Sequence, residues 1–137
     1  MTTVLDASVV VKCFVRERGS DEALTALSAA GALVAPDLLF AEVCNVLWKK
    51  TRRSEIDAPH AARVLRALST LFDQVVPTGG LIVRALEIAV ALDHPAYDAI
   101  YIALAESADA HLVTDDARLV ARVRDTQWGG RVRSLRG

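Results

Sequence analysis

Asp6, Glu42, Asp98 and Asp116 are the residues of this chain best placed to do chemistry. Asp6 ends the short apolar run Thr3-Val4-Leu5, and Asp116 ends Leu112-Val113-Thr114-Asp115-Asp116. In an open parallel sheet, active sites form beyond the carboxyl ends of the strands, near the point where strand order reverses. Glu42 lies within Leu38-Leu39-Phe40-Ala41-Glu42-Val43-Cys44, and Asp98 interrupts the run from Ala96 to Leu104. An acid on the apolar side of a helix is costly to bury unless something pairs with it. No obvious basic partner lies three or four residues from either, and the nearest cations to Glu42 are Lys49 and Lys50. Asp6 and Asp116 also suit helix N-caps.

Four carboxylates about 5 Å apart would repel by roughly 3 kcal/mol per pair at an effective dielectric near 20. All the pairs together approach the whole stability of a small domain. Either the acids do not meet, or a divalent cation holds them. Carboxylate oxygens without His or Cys suit a hard ion, Mg²⁺ or Mn²⁺, completed by water and by substrate phosphate oxygens. That donor set suits phosphodiester hydrolysis.

The elements that must position these acids follow from periodicity and caps. Strands are expected at Thr3–Leu5, Leu33–Ala35, Phe72–Val76, His111–Val113 and, at an edge, Val132–Leu135. Helices are expected at Ser20–Ala30 (stopped by Gly31), at Pro36–Lys50, and within Ser54–Leu71, where the start falls near Asp57 and Pro59. Further helices are expected at Gly80–Leu92 with Thr78 as cap, at Pro95–Ser107 with Asp93 as cap, and at Ala117–Val123. This alternation implies an α/β domain, a mostly parallel sheet of four to five strands with helices on both faces.

The chain has 137 residues, 53% of them hydrophobic and 24% charged, enough for a single domain with a real core. Repeats, Gly/Ser linkers and low-complexity tracts are absent, and no apolar run approaches the roughly 18 residues a membrane helix needs. Met1 to Asp6 lacks the cationic start of a signal peptide, so the expected compartment is the cytoplasm and no membrane partner is expected. Cys13 and Cys44 read as reduced packing residues. His60, His94 and His111 show no metal spacing and read as structural or surface residues. The formal net charge is −1, yet setting aside the four acids leaves 13 Asp and Glu against 16 Lys and Arg. A surface that is basic away from one acidic pocket is compatible with nucleic acid. The run Lys49-Lys50-Thr51-Arg52-Arg53 and the group Arg118, Arg122 and Arg124 read as phosphate contacts or as ordinary solvated helix ends.

The stretches Val4-Leu5-Asp6-Ala7-Ser8-Val9-Val10-Val11-Lys12 and Ala35-Pro36-Asp37-Leu38-Leu39-Phe40-Ala41-Glu42-Val43-Cys44-Asn45-Val46-Leu47 resemble the PIN-domain ribonucleases, and among them the VapC-like toxins. So do Tyr97-Asp98-Ala99-Ile100-Tyr101-Ile102-Ala103-Leu104-Ala105-Glu106 and Leu112-Val113-Thr114-Asp115-Asp116-Ala117-Arg118-Leu119. The blocks span nearly the whole chain in family order. The resemblance implies a three-layer α/β/α PIN-like fold over 1–137. It also implies a Mg²⁺-dependent endoribonuclease, with Mn²⁺ as a substitute, whose acidic quartet is Asp6, Glu42, Asp98 and Asp116. Thr114 and Asp116 fill the family's Thr-x-Asp positions. Asp115 takes the variable middle place, as an outer acid or a helix cap. Ser8 and Asn45 stand as supporting residues. A small antitoxin protein, an RNA substrate and homodimerisation are implied as partners. Trp48 and Trp128 are candidate interface anchors, or ordinary partly buried residues.

Other readings fit less well. A phosphotransfer receiver needs an Asp ending the third strand and a Lys after the fifth, where this chain has Val75-Val76-Pro77-Thr78 and Ser134-Leu135-Arg136. A haloacid-type phosphatase needs a second Asp where Ser8 stands, and no Gly-x-Gly-x-x-Gly follows the first strand. The alternative from another class is a catalytically inactive PIN-like module that binds RNA or protein without cutting.

Overall fold

A computed structural model describes residues 1–137. In chain order the elements are β1 (Thr3–Leu5), α1 (Ala7–Phe14), α2 (Ser20–Ala29), β2 (Leu33–Pro36), α3 (Leu38–Arg52), α4 (Ala58–Leu68) and β3 (Gln74–Val76). They continue as a 3₁₀ turn (Thr78–Leu81), α5 (Ile82–Leu92), α6 (Ala96–Ser107), β4 (His111–Thr114), α7 (Ala117–Val123) and β5 (Val132–Ser134). The five strands form one wholly parallel sheet in the order β3-β2-β1-β4-β5. The strand order reverses between β1 and β4, which pair in the register Leu5↔Val113. This switch point is where the sheet opens a crevice for a site. The two edge strands are only three residues long, a length that limits pairing with other chains.

Helices cover the sheet to give the α/β/α layering. Helix α6 packs against β1, β2 and β4 and carries α5 on its outer side. Every residue from Ala99 to Ala105 is buried, so α6 is apolar all round, as a central helix must be. Helix α1 packs on β4, α2 and α3. The core is one cluster of 35 buried residues running from Val4 to Leu135. Asp37 and Thr78 tie α3 to the 3₁₀ turn reciprocally. The Thr78 amide donates to Asp37 Oδ1 at 2.9 Å, and the Leu38 amide donates to Thr78 Oγ1 at 3.0 Å.

The structure departs from the sequence expectation in several places. Two helices, not one, join β1 to β2, because Asp6 caps the Val-rich stretch Ala7–Phe14 into a helix. Pro36 ends β2, paired with Val76 at the strand terminus, instead of opening α3. The helix expected within Ser54–Leu71 runs only from Ala58 to Leu68, and β3 begins at Gln74. Thr78 starts a 3₁₀ turn instead of capping α5. Asp93 does not cap α6; with φ 51° it is the left-handed C-cap of α5, and Pro95 precedes α6. Cys44 is exposed, Trp128 is buried with its indole N–H on Glu106 at 2.8 Å, and Trp48 stays exposed.

Candidate active site

Each acid reaches the crevice by its own route. Asp6 leaves β1 as the N-cap of α1. Its Oδ1 accepts from the Val9 amide at 3.0 Å and from Ser8 Oγ at 2.8 Å, and its Oδ2 accepts from Thr114 Oγ1 at 2.5 Å. The cap and pocket readings of Asp6 therefore hold together in one side chain. Burial raises its carboxyl above the ordinary range. The three hydrogen bonds oppose that rise, and the charge of Asp98 adds to it.

Thr114 is fully buried at the end of β4. Its hydroxyl donates to Asp6 and accepts from the Asp116 amide at 3.1 Å, joining the two strand-end acids. Asp116 caps α7, accepting from the Arg118 amide at 2.9 Å and the Leu119 amide at 3.3 Å. Asp115 belongs to a different electrostatic setting. Arg136 grips it with Nε at 2.8 Å and Nη2 at 3.1 Å, and Lys12 Nζ lies 3.6 Å away. The Arg136 pair, followed by the nearby Lys12 charge, holds Asp115 below the usual carboxylate range. Neither sequence reading of Asp115 anticipates this latch, whose arms are 21 residues apart.

Glu42 and Asp98 come from helices. Glu42 sits in the second turn of α3, where the buried Tyr101 hydroxyl of α6 donates to its Oε1 at 2.5 Å. Burial raises the Glu42 carboxyl; the Tyr101 hydrogen bond opposes this, and the charges of Asp98 and Asp6 reinforce it. Burial likewise pushes the Tyr101 phenol well above its ordinary range, with Glu42 adding to the effect. It is a fixed hydroxyl donor at neutral pH. Asp98 occupies the first turn of α6, where the helix dipole favours an acid. Its Oδ2 lies 2.6 Å from His94 Nε2. The sequence reading takes His94 as a structural or surface residue and finds no basic partner three or four residues from Asp98. The structure corrects this, setting His94, four residues ahead and outside α6, against Asp98.

Asp6, Glu42, Asp98 and Asp116 line one cavity of about 460 Å³, together with Ser8, Asn45 and Asp115. No lysine or arginine pairs with any of the four, whereas Asp115 and Glu17 nearby are both paired. Ligand atoms of His94, Asp98 and Asp116 lie within 4.8 Å of one another. The donor chemistry fits a hard divalent cation: oxygen-rich, concave and short of compensating charge.

The parallel sheet under its helices, with acids gathered at the switch point, defines an α/β/α domain with an acidic crevice at the carboxyl edge of its strands. The PIN domain family model matches residues 3–125, and the chain belongs to that family, in its VapC-like branch. It is 36% identical over 124 residues to a protein named Ribonuclease VapC3 from Pyrobaculum aerophilum, covering 89% of this chain and 95% of the relative. It is also 36% identical over 120 residues to Ribonuclease VapC1 of Mycobacterium tuberculosis, covering 86% of this chain and 88% of the relative. Among solved structures it resembles a Pyrobaculum aerophilum protein at TM-score 0.67 and 26% identity, covering 99% of this chain and 85% of that one. The fold also matches a toxin–antitoxin complex from Klebsiella pneumoniae at TM-score 0.69 and 19% identity, with 98% of each chain covered.

Proposed function

We propose that this protein is a divalent-metal-dependent endoribonuclease and the toxin of a toxin–antitoxin pair, acting as a single domain over 1–137. The observation that carries the reading is one cavity lined by four acids from four separate elements, none of them paired with a lysine or arginine. The ribonuclease names of its relatives support RNA as the substrate, and the likeness to the Klebsiella pneumoniae toxin–antitoxin complex supports an antitoxin partner.

Asp6, Glu42, Asp98 and Asp116 would hold Mg²⁺ or Mn²⁺. When bound, the ion supplies an acidified water and stabilises the charge that develops on the phosphate. Thr114 and Ser8 hold Asp6 in place by donating to its two oxygens. Tyr101 fixes Oε1 of Glu42, which leaves Oε2 to take the proton of the attacking water. In-line attack of that water would form the new P–O bond as the P–O3′ bond breaks, leaving a 5′-phosphate, and the departing O3′ would take a proton from solvent to become a 3′-hydroxyl. Asn45 follows Glu42 by one turn of α3 and would hydrogen-bond the sugar–phosphate chain. A covalent route has no support from the cysteines: burial pushes the Cys13 thiol up to about 11, and neither Cys13 nor Cys44 lines the acidic cavity.

Homodimerisation has a fitting surface in Val83, Leu86 and Val90, exposed along α5, with Tyr97 nearby at the start of α6. An RNA substrate calls for a cytoplasmic setting. No single helix is long and apolar enough to cross a membrane. The test is cleavage of RNA by the purified protein with Mg²⁺, with Mn²⁺ and with EDTA. Cleavage abolished by EDTA is expected. RNA binding in all three conditions without cleavage would favour the inactive binding module instead.

A further inference from the structure

The reading of the four acids as a cation site raises the question of what keeps Asp98 in a pocket whose other members repel it. Asp98 adds repulsion at both Asp6 and Glu42, and by reciprocity both act to drive it out. Asp6 is held by three donors and Glu42 by Tyr101. Asp98 has one side-chain partner, the imidazole of His94.

His94 is held on both sides by the backbone. The left-handed Asp93 terminates α5, the His94 amide donates to Ala89 O at 3.1 Å, and Pro95 fixes the entry to α6. The result is an imidazole with only 8% of its side chain exposed, four residues ahead of Asp98 and 2.6 Å from it. With Asp98 ionised, the shared hydrogen sits on Nε2, which makes His94 the donor and Oδ2 the acceptor. A protonated Nε2 has no lone pair to offer a cation. Oδ2 is thereby engaged, and Oδ1 is left for the cavity.

We propose that His94 is the positioning residue of the cation site: it clamps Asp98 through Nε2–H···Oδ2 and so sets the affinity of the acidic pocket for a divalent ion. Residues that orient ligating groups typically change metal affinity 10- to 100-fold when removed. His94 touches neither the ion nor RNA in this role and acts through Asp98 alone.

The test is Mn²⁺ binding to the purified full chain by calorimetry, together with pulsed electron paramagnetic resonance of the bound ion. His94→Ala is expected to weaken Mn²⁺ binding about 10- to 100-fold. His94→Gln, whose side-chain amide can still donate, is expected to recover most of that loss. The wild-type Mn²⁺ spectrum is expected to lack coupling to a directly coordinated nitrogen. Unchanged affinity in His94→Ala overturns the proposal, as does a folded His94→Gln that binds as weakly as the alanine variant. Direct nitrogen coupling also overturns it, because His94 would then be a ligand. Should His94→Ala fail to fold, the glutamine variant and the wild-type spectrum still decide. A wild type that binds no Mn²⁺ sinks the cation-site reading itself, which separates the two failures.

Discussion

Thr114 Oγ1 donates to Asp6 Oδ2 at 2.5 Å, although 108 residues separate them in sequence. The parallel register of β1 and β4 brings this about, since Leu5↔Val113 makes the next residues, Asp6 and Thr114, adjacent at the carboxyl edge of the sheet. The same hydroxyl accepts from the Asp116 amide, so one buried oxygen ties two acids and two strands together. Thr114→Val keeps the shape, leaves Asp6 without that donor and leaves the Asp116 N–H without an acceptor. A destabilisation of about 1–3 kcal/mol is expected, with Thr114→Ser recovering most of it. Urea unfolding measures this, and a valine variant as stable as the wild type would show that the bridge contributes nothing.

Asp98→Asn tests the shared pocket. The asparagine oxygen can still accept from His94, while the charge that raises Asp6 and Glu42 disappears. In EDTA the variant is expected to be at least as stable as the wild type, by up to about 1 kcal/mol, or some 3–5 °C in Tm at this chain length. Added Mg²⁺ should raise the wild-type Tm and leave the variant nearly unmoved, and RNA cleavage should be lost. A metal-free variant that melts well below the wild type would mean that the acids do not share one field.

The raised carboxyls of Asp6 and Glu42 set the sign of a pH effect. Their native values lie above the unfolded ones, near 3.9 and 4.3, so the native state binds more protons across that window. Stability from these two groups is thus fully present below about pH 4 and is lost as pH rises through the raised native values. Asp6→Asn removes one of them. In EDTA, the melting temperature of Asp6→Asn relative to wild type is expected to climb as pH goes from 4 to 8. A gap that instead grows toward acid would contradict the burial of Asp6. Divalent ion should close the gap at neutral pH by compensating the charge.

Much of this site was legible because its signals are local. Asp6 and Asp116 follow short apolar runs, and Glu42 and Asp98 interrupt apolar helical faces, so each is conspicuous without knowledge of its neighbours. What was not legible depends on pairing at a distance. The Tyr101 hydroxyl meets Glu42 across 59 residues, and Arg136 neutralises Asp115 across 21. The valine-rich Ala7–Phe14 shows no helical preference, because β-branched residues favour strands; its helix depends on the Asp6 cap and on packing against α2, α3 and β4. His94 lies outside α6, in the bend between the left-handed Asp93 and Pro95, so helical periodicity in the sequence does not set it against Asp98.

Lys49 decides whether the cavity continues into a track for RNA. It stands seven residues beyond Glu42 on α3, two turns along the same face, and it is the one cation lining the acidic cavity. Neighbouring Lys12 and Lys50 are both engaged by Glu17, whereas Lys49 is exposed and forms no ion pair. A free ammonium beside an acidic cleft suits a phosphate next to the one being cut, where it offsets repulsion between the RNA backbone and the acids. Lys49→Gln removes one such contact. The slope of log(kcat/KM) against log[salt] should become shallower by about 0.7, the increment for one phosphate of a single strand. KM should rise at low salt while kcat stays near wild type, and Lys49→Arg should preserve the slope. An unchanged slope in Lys49→Gln would put this ammonium in solvent and the RNA backbone on another face.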